Sequence, residues 1–285
     1  MTIRELFRET VQRLQTGGIE EAEIEAFLLL GRLLGLSRSQ LVLGGEQPVS
    51  PATIRNWEEF LARRLRREPL AYILGEWEFW SLPFEVTPAV LIPRPETELL
   101  LETALEPLKA GPATVRLLDL GAGSGIIPIV LARELPQAAV YSVDCSCAAL
   151  AVAARNARRN GVAGRVHLIA SDWLRGIRRQ PFFDAVLSNP PYIDCRVLAD
   201  LQPEVRDFEP QLALDGGRDG LEIIAALSRD IAAVLKPGGL IFMEIGFDQG
   251  ESAPAIFEAV GCYRDIRVRR DYAGHPRILQ AHKNG

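Results

Sequence analysis

Five residues, Ser188-Asn189-Pro190-Pro191-Tyr192, follow the apolar run Phe182-Phe183-Asp184-Ala185-Val186-Leu187 and have the residue types best suited to chemistry. Each proline ring fixes its own φ near about −65° and pushes the residue before it out of the helical region, so the turn is shaped before anything binds. Neither proline has an N–H. The Asn189 side chain and the Pro190 carbonyl therefore present acceptors that no proline N–H can occupy. Such a turn suits a planar –NH₂ group, and the expectation is a grip on an amide or amino nitrogen while another group is delivered to it.

Three more loops carry residues of the right kind. Asp119-Leu120-Gly121-Ala122-Gly123-Ser124-Gly125 closes a strand pattern, and its glycines let backbone approach a ligand closely and supply N–H groups at a helix start. The next strand ends in Val143-Asp144, nineteen positions beyond Gly125, where both oxygens of an acid can hold a ribose hydroxyl pair. A dinucleotide fingerprint would need glycine at Ile126, so a pyrophosphate is not expected. Ser171-Asp172-Trp173 offers a carboxylate and an aromatic face for an adenine. Taken singly, the glycine turn, Trp173 and the proline turn also read as ordinary structure. In order along one sheet they imply S-adenosylmethionine beside an amino-group grip, and hence N-methylation.

The elements that must position these loops come in two kinds. Thr2 and Glu5 form a capping box, and Ile3, Leu6, Phe7, Val11 and Leu14 recur at helical spacing up to Gly17-Gly18. Helical runs follow at Glu20 to Leu34, from Ser37 to Leu43, and from Ser50-Pro51 to about Arg67. Arg63-Arg64-Leu65-Arg66-Arg67 reads as a solvated helix face, with contact to an acidic partner as the alternative. Trp77, Phe79, Leu82, Phe84 and Val86 alternate around Ser81 as a hairpin. Glu96 and Glu98 open a helix, either as capping acids or as part of a cofactor-pocket closure. From Val115 onward strand, loop and helix alternate, which predicts an α/β fold with a doubly wound, mostly parallel sheet. Tyr263–Val268 and Arg277–His282 are expected as edge strands. The expected domains are a helical residue range 1–75, a hairpin linker 76–90 and a sheet domain 91–285.

At 285 residues and 48% hydrophobic the chain can bury a sizeable core. Its N-terminus, Met1-Thr2-Ile3-Arg4-Glu5, leads into no secretory apolar stretch, and no apolar run approaches the roughly 20 residues of a membrane span, so a soluble cytoplasmic protein with no membrane partner is expected. Four cysteines without paired CxxC spacing and three histidines argue against a metal site or disulfides. The net charge is −5, and the first 75 residues carry ten arginines against ten glutamates. That balance argues against direct nucleic-acid binding.

The chain resembles the HemK-type release-factor glutamine N5-methyltransferases. The resemblance rests on Glu68 to Gly75, Leu91 to Glu98, Gly121 to Gly125, Ser188 to Tyr192 and Glu209 to Gly220, and spans nearly the whole length. It implies a class I S-adenosylmethionine-dependent methyltransferase fold, Rossmann-like, with a small helical N-terminal domain that contacts substrate. It implies that Gly121, Ala122, Gly123, Ser124, Gly125, Asp144, Trp173 and Asn189 hold the cofactor. Asn189, Pro190, Pro191 and Tyr192 would hold a glutamine, with Asn189 and Pro190 as the catalytic pair. The implied partner is a class 1 peptide chain release factor, methylated on its Gly-Gly-Gln motif. Pro128 departs from the small residue more usual there, at a position where the helix needs no N–H. Amino-methyltransferases of DNA and RNA share the Asn189 to Tyr192 tetrad, so transfer to adenine or guanine is the alternative enzyme. A silent cofactor-binding partner is the alternative of another class.

Overall fold

Thr2 opens the first helix, α1 (Ile3–Thr16), by accepting the Glu5 N–H at 3.3 Å while Glu5 Oε2 accepts the Thr2 N–H at 2.8 Å. The computed structural model describes residues 1–112 and 114–285. Four further helices follow: α2 (Ala22–Leu34), α3 (Arg38–Leu43), α4 (Pro51–Leu65) and α5 (Leu70–Leu74). Their apolar faces share one core of Leu6, Leu14, Leu29, Leu30, Trp57 and Leu61. The polar end of Trp57 is satisfied inside it, the indole N–H donating to Thr10 Oγ1 at 2.8 Å. Helix α5, absent from the sequence expectation, is a five-residue turn between Pro69 and Gly75, too short to show a period.

The chain continues with the hairpin β1 (Glu76–Phe79) and β2 (Leu82–Glu85), then α6 (Glu96–Ala110), β3 (Arg116–Leu120), α7 (Ile126–Glu134), β4 (Ala139–Asp144), α8 (Cys147–Arg159), β5 (Val166–Ala170), β6 (Phe183–Ser188), α9 (Pro203–Phe208), α10 (Glu222–Val234), β7 (Leu235–Glu244), α11 (Ser252–Val260), β8 (Tyr263–Arg270) and β9 (Pro276–Lys283). By compactness the residues divide into two units, one of Met1–Glu76 with Gln202–Phe208 and one of Trp77–Leu201 with Glu209–Gly285. Helix α9 thus belongs with α1 to α5. Its Glu204 pairs with Arg64 at 3.0 Å and with Arg67 at 2.7 Å, and Arg64 also holds Glu25 at 2.6 Å. The arginine run expected to be solvated is therefore largely engaged internally, with the Arg64 side chain 6% exposed.

In the second unit seven strands lie in the order β5-β4-β3-β6-β7-β9-β8, parallel from β5 to β7 and antiparallel at β9 and β8. This is the doubly wound, mostly parallel sheet that the alternating pattern predicts. One expectation is corrected: Arg277–His282 lies inside the sheet, between β7 and β8, and of the two expected edge strands β8 alone is one. Ile278, Leu279 and Ala281 are fully buried, and β9 fills the slot because it follows β8 as an antiparallel return. Pro237-Gly238-Gly239 forms an irregularity within β7: Phe183 pairs with Leu235, and pairing resumes at Ala185 with Leu240.

One face of the sheet packs against α6, α7 and the hairpin, with Phe79 and Phe84 built into that core. The hairpin assigned from sequence to a linker is thus part of the second unit's interior. It turns at Trp80 and Ser81, with φ of 55° and 53°, the paired left-handed residues of a tight hairpin achieved without glycine. No helix among the described residues is long and apolar enough to cross a membrane.

Candidate active site

Five strands end in register: Leu120 lies beside Val143 and Ser188, Asp144 beside Ala170, and Ser188 beside Met243. The loops after β3, β4, β5, β6 and β7 therefore share one rim. The chain winds outward from β3 to β5 and then returns to β6 on the other side of β3, and ligands of such sheets collect where the order reverses. A cavity of about 230 Å³ opens there, bounded by Leu91 to Arg94, Thr97, the glycine loop, Asp144, Trp173 and Asn189.

The glycine loop works differently from the expectation. Gly121, Gly123 and Gly125 take φ of 95°, 52° and 86°, which side chains resist. Their N–H groups, however, are engaged within the chain. Gly121 and Ala122 donate to the Val143 carbonyl, Gly125 donates to that of Ala122, and Gly123 donates to Asp144 Oδ2 at 2.9 Å. The contribution of Gly121 and Gly123 is bare backbone against the cavity. Pro128 sits in the first turn of α7, where an N–H has no helical partner. From behind, the Asn156 amide clamps the loop by donating to the Ser124 carbonyl at 2.8 Å. Asp144 Oδ1 accepts the Ser146 N–H at 2.8 Å, so each carboxylate oxygen is aimed by one backbone bond and keeps further lone pairs.

Trp173 lines the cavity and holds φ of 48°, an uncommon backbone for an indole-bearing residue. Strain of this sort accumulates at functional positions. A Cβ built on Gly121 would stand 4.0 Å from its ring and 3.7 Å from the Asn189 carbonyl, so the glycine loop, Trp173 and Asn189 converge.

Of the proline turn, Asn189 and Pro191 line the cavity. Asn189 Nδ2 donates to Thr97 Oγ1 at 3.1 Å, and no group among the described residues donates to its Oδ1. Pro190 is buried and is not in the cavity wall. The Tyr192 ring packs into the sheet core and its hydroxyl donates to Glu244 Oε1 at 3.2 Å, turned away from the cavity. Behind the turn stand Gly216, Gly220 and Gln249. The Gln249 amide donates to both the Tyr192 and the Gly220 carbonyls, at 3.0 and 3.1 Å.

Three site residues were not read from the sequence. Thr97, between Glu96 and Glu98, is fully buried and donates to Glu244 Oε2 at 2.8 Å. Glu244 ends β7 with no exposed surface, and burial pushes its carboxyl up to about 7. Its signal was available: a lone acid at the end of an apolar strand on the same rim as Asp144. Glu209 fastens the wall of the cavity, accepting the Ile92 N–H at 3.2 Å and the Arg94 guanidinium at 2.5 Å. Glu98 instead accepts the Trp80 N–H at 2.8 Å and serves the hairpin turn, and neither Glu96 nor Glu98 reaches the cavity. Beneath the glycine loop Asp119 is fully buried, among the described residues holds only the Ser142 hydroxyl, at 2.6 Å, and is pushed up to about 8 by burial.

Comparison with known proteins accords with this geometry. Residues 5–75 match the family described as PrmC N-terminal domain, and residues 95–201 match the one described as Methyltransferase small domain. A solved methyltransferase from Pyrococcus furiosus shares the fold at 19% identity and a TM-score of 0.54, covering 73% of this chain and 91% of that one. The release factor glutamine methyltransferase of Bordetella pertussis is 46% identical over 90% of this chain and 93% of its own. That of Moorella thermoacetica is 44% identical over 99% of both chains. With likeness of that degree running from the capping box of α1 to the last strand, the chain belongs to the release factor glutamine methyltransferase family.

Proposed function

We propose that this protein transfers the methyl group of S-adenosylmethionine to the side-chain amide nitrogen of the glutamine in the Gly-Gly-Gln motif of class 1 peptide chain release factors. The observation that carries the reading is the Asn189 carboxamide. One Nδ2 hydrogen is committed to Thr97 at 3.1 Å, which orients the amide so that Oδ1 is left as a free acceptor, as an incoming –NH₂ requires.

The residues around the cavity suit the cofactor. Asp144 has lone pairs left on both aimed oxygens for the ribose hydroxyls, Trp173 supplies an apolar face for adenine, and the glycine loop leaves room for the rest. When bound, S-adenosylmethionine supplies a methyl group on a sulfonium, whose sulfur keeps the bonding electron pair on transfer. An amide nitrogen is a poor nucleophile because its lone pair is shared with the carbonyl. Asn189 Oδ1 accepts one of its N–H bonds at the cavity wall, and the second acceptor we assign is the Pro190 carbonyl, although Pro190 is buried outside that wall; together they would hold the nitrogen in line and partly relocalise that lone pair. Alignment of this kind lowers a barrier by roughly 7–11 kcal/mol. The N-methylated amide cation then loses its proton without a strong base. Pro191 keeps the turn rigid, and Tyr192 anchors it to β7.

Incubation with labelled cofactor and a release factor, followed by mass spectrometry, is expected to place one methyl on the Gly-Gly-Gln glutamine. Undiminished labelling of a release factor carrying Gln→Ala at that position would sink the reading, and label in added DNA or RNA would favour the nucleic-acid alternative.

A further inference from the structure

Glu244 plays no part in the chemistry just described, yet it stands at the root of the Asn189 contact. It is fully buried and accepts two hydroxyls, Thr97 at 2.8 Å and Tyr192 at 3.2 Å. A buried carboxylate is costly in free energy, so a well-packed neutral residue would serve stability at least as well. What only an ionised carboxylate provides is a partner that accepts and never donates.

The consequence runs along the chain of hydrogen bonds. Thr97 has a single hydroxyl proton. Once that proton is donated to Glu244, Thr97 can offer Asn189 only lone pairs, and only the NH₂ end of the carboxamide can meet them. Nδ2 is then fixed on Thr97, as observed at 3.1 Å, and Oδ1 is fixed as the free end. A partner able to donate removes the rule. Protonated glutamic acid, or glutamine, can donate to Thr97 Oγ1, whose own proton is then free to point at Asn189 Oδ1 and reverse the amide.

We propose that Glu244 is a positioning residue for methyl transfer: through Thr97 it determines which end of the Asn189 carboxamide faces the substrate nitrogen. The proposal rests on the methyl-transfer reading above. The charged and titratable groups around Glu244 are Tyr192 on the loop after β6, Arg277 on β9 and Glu96 on α6. Burial, opposed by the two hydroxyl bonds and by Arg277, leaves the Glu244 carboxyl near 7. The Tyr192 hydroxyl is raised by its own burial and remains a donor across that range. Loss of the Glu244 proton therefore sets the orientation, and turnover rises with pH through an acid limb near that value.

The test uses the whole protein and three variants. Glu244→Gln and Thr97→Val are each expected to lower kcat by roughly tenfold, with a smaller change in KM for the release factor, and to abolish the acid limb. Thr97→Ser, which keeps the hydroxyl, should retain both. The double variant should be no worse than either single one, as for residues acting through one chain. A second readout needs no turnover. In free wild-type protein the Asn189 side-chain NH₂ resonances, assigned by their loss in Asn189→Ala, should be more strongly protected from exchange, relative to the intrinsic base-catalysed rate at each pH, one pH unit above 7 than one unit below. In Glu244→Gln that protection should be low at both. Glu244→Gln with wild-type kcat and an intact acid limb overturns the proposal, as does unchanged NH₂ exchange. If Glu244→Gln does not fold, Thr97→Val decides, and wild-type kcat in that variant overturns it. If wild-type protein labels no release factor, the functional reading fails, while the NH₂ exchange still decides the link from Glu244 to Asn189.

Discussion

Gly216 offers the sharpest perturbation of the proline turn that deletes no candidate ligand-binding atom. A Cβ added there would meet the Gly220 carbonyl oxygen at 2.8 Å, the Tyr192 Cα at 2.8 Å and the Pro191 carbonyl oxygen at 2.9 Å. All three are backbone atoms, so none can swing aside as a side chain would. Ordinary contact begins at 3.4 Å, and relief requires the turn or Gly216 to move by roughly 0.6 Å. Overpacking of this kind costs about 1–3 kcal/mol, and the smaller unfolded-state entropy of alanine offsets about 0.4–1 kcal/mol of it. The protein should fold. Reacting groups, however, must be held within about 0.5 Å of their productive geometry, and displacement on this scale should lower kcat by about 10- to 100-fold. Gly216 is outside the cavity wall, so calorimetry with S-adenosylhomocysteine should give a Kd within about twofold of wild type. Methyl transfer to a release factor, measured beside that titration, is the assay. Wild-type kcat in a folded Gly216→Ala protein would refute the reasoning that the close backbone contact of Gly216 with Pro191 and Tyr192 sets the position of the turn.

Four more outcomes are expected. Asn189→Ala should lower turnover by on the order of 10²-fold or more, the loss of one transition-state hydrogen bond, read in the same transfer assay. Asp144→Ala should weaken S-adenosylhomocysteine by on the order of 10²-fold or more, since two charge-assisted hydroxyl bonds go and the Gly123 N–H loses its acceptor; calorimetry reads it. Asp119 is raised to about 8 by burial, so the folded state holds its proton, and the stability this gives is full at acid pH and fades as pH rises through the folded value. Melting temperatures should therefore fall between about pH 4 and pH 8 more steeply for wild type than for Asp119→Asn. Thr10→Val removes the acceptor of the buried Trp57 indole N–H and should cost about 1–3 kcal/mol in urea unfolding.

The sequence was most informative where local rules decide. Thr2 and Glu5 announced α1, the alternation from Val115 onward announced the sheet, and the spacing from Gly121 to Asp144 brought both to one rim. It was least informative where the deciding partner is distant. Thr97 and Glu244 are 147 positions apart, and nothing near either one signals the bond between them. Arg64 looked like part of a basic face because Glu25 and Glu204, which neutralise it, lie 39 and 140 positions away. The glycine loop was misjudged for another reason: composition says that its backbone can approach a ligand, but not that the Val143 carbonyl and Asp144 have already engaged its N–H groups. The position of β9 was similarly hidden, since whether it pairs on its second side is set by β7, more than thirty positions away, and not by its own residues.

The excursion of residues 202–208 into the first unit bears on how such proteins can be cut and recombined. The helical unit is discontinuous in sequence: five helices come from the start of the chain and a sixth is inserted from beyond the proline turn. A chain begun at Trp77 would retain Glu204 but not Arg64 or Arg67, leaving α9 without its ion-pair partners. A chimaera that exchanges helical units between relatives would have to exchange residues 202–208 with them. The natural boundary of the module is therefore a pair of cuts and a splice, which no single truncation point can reproduce.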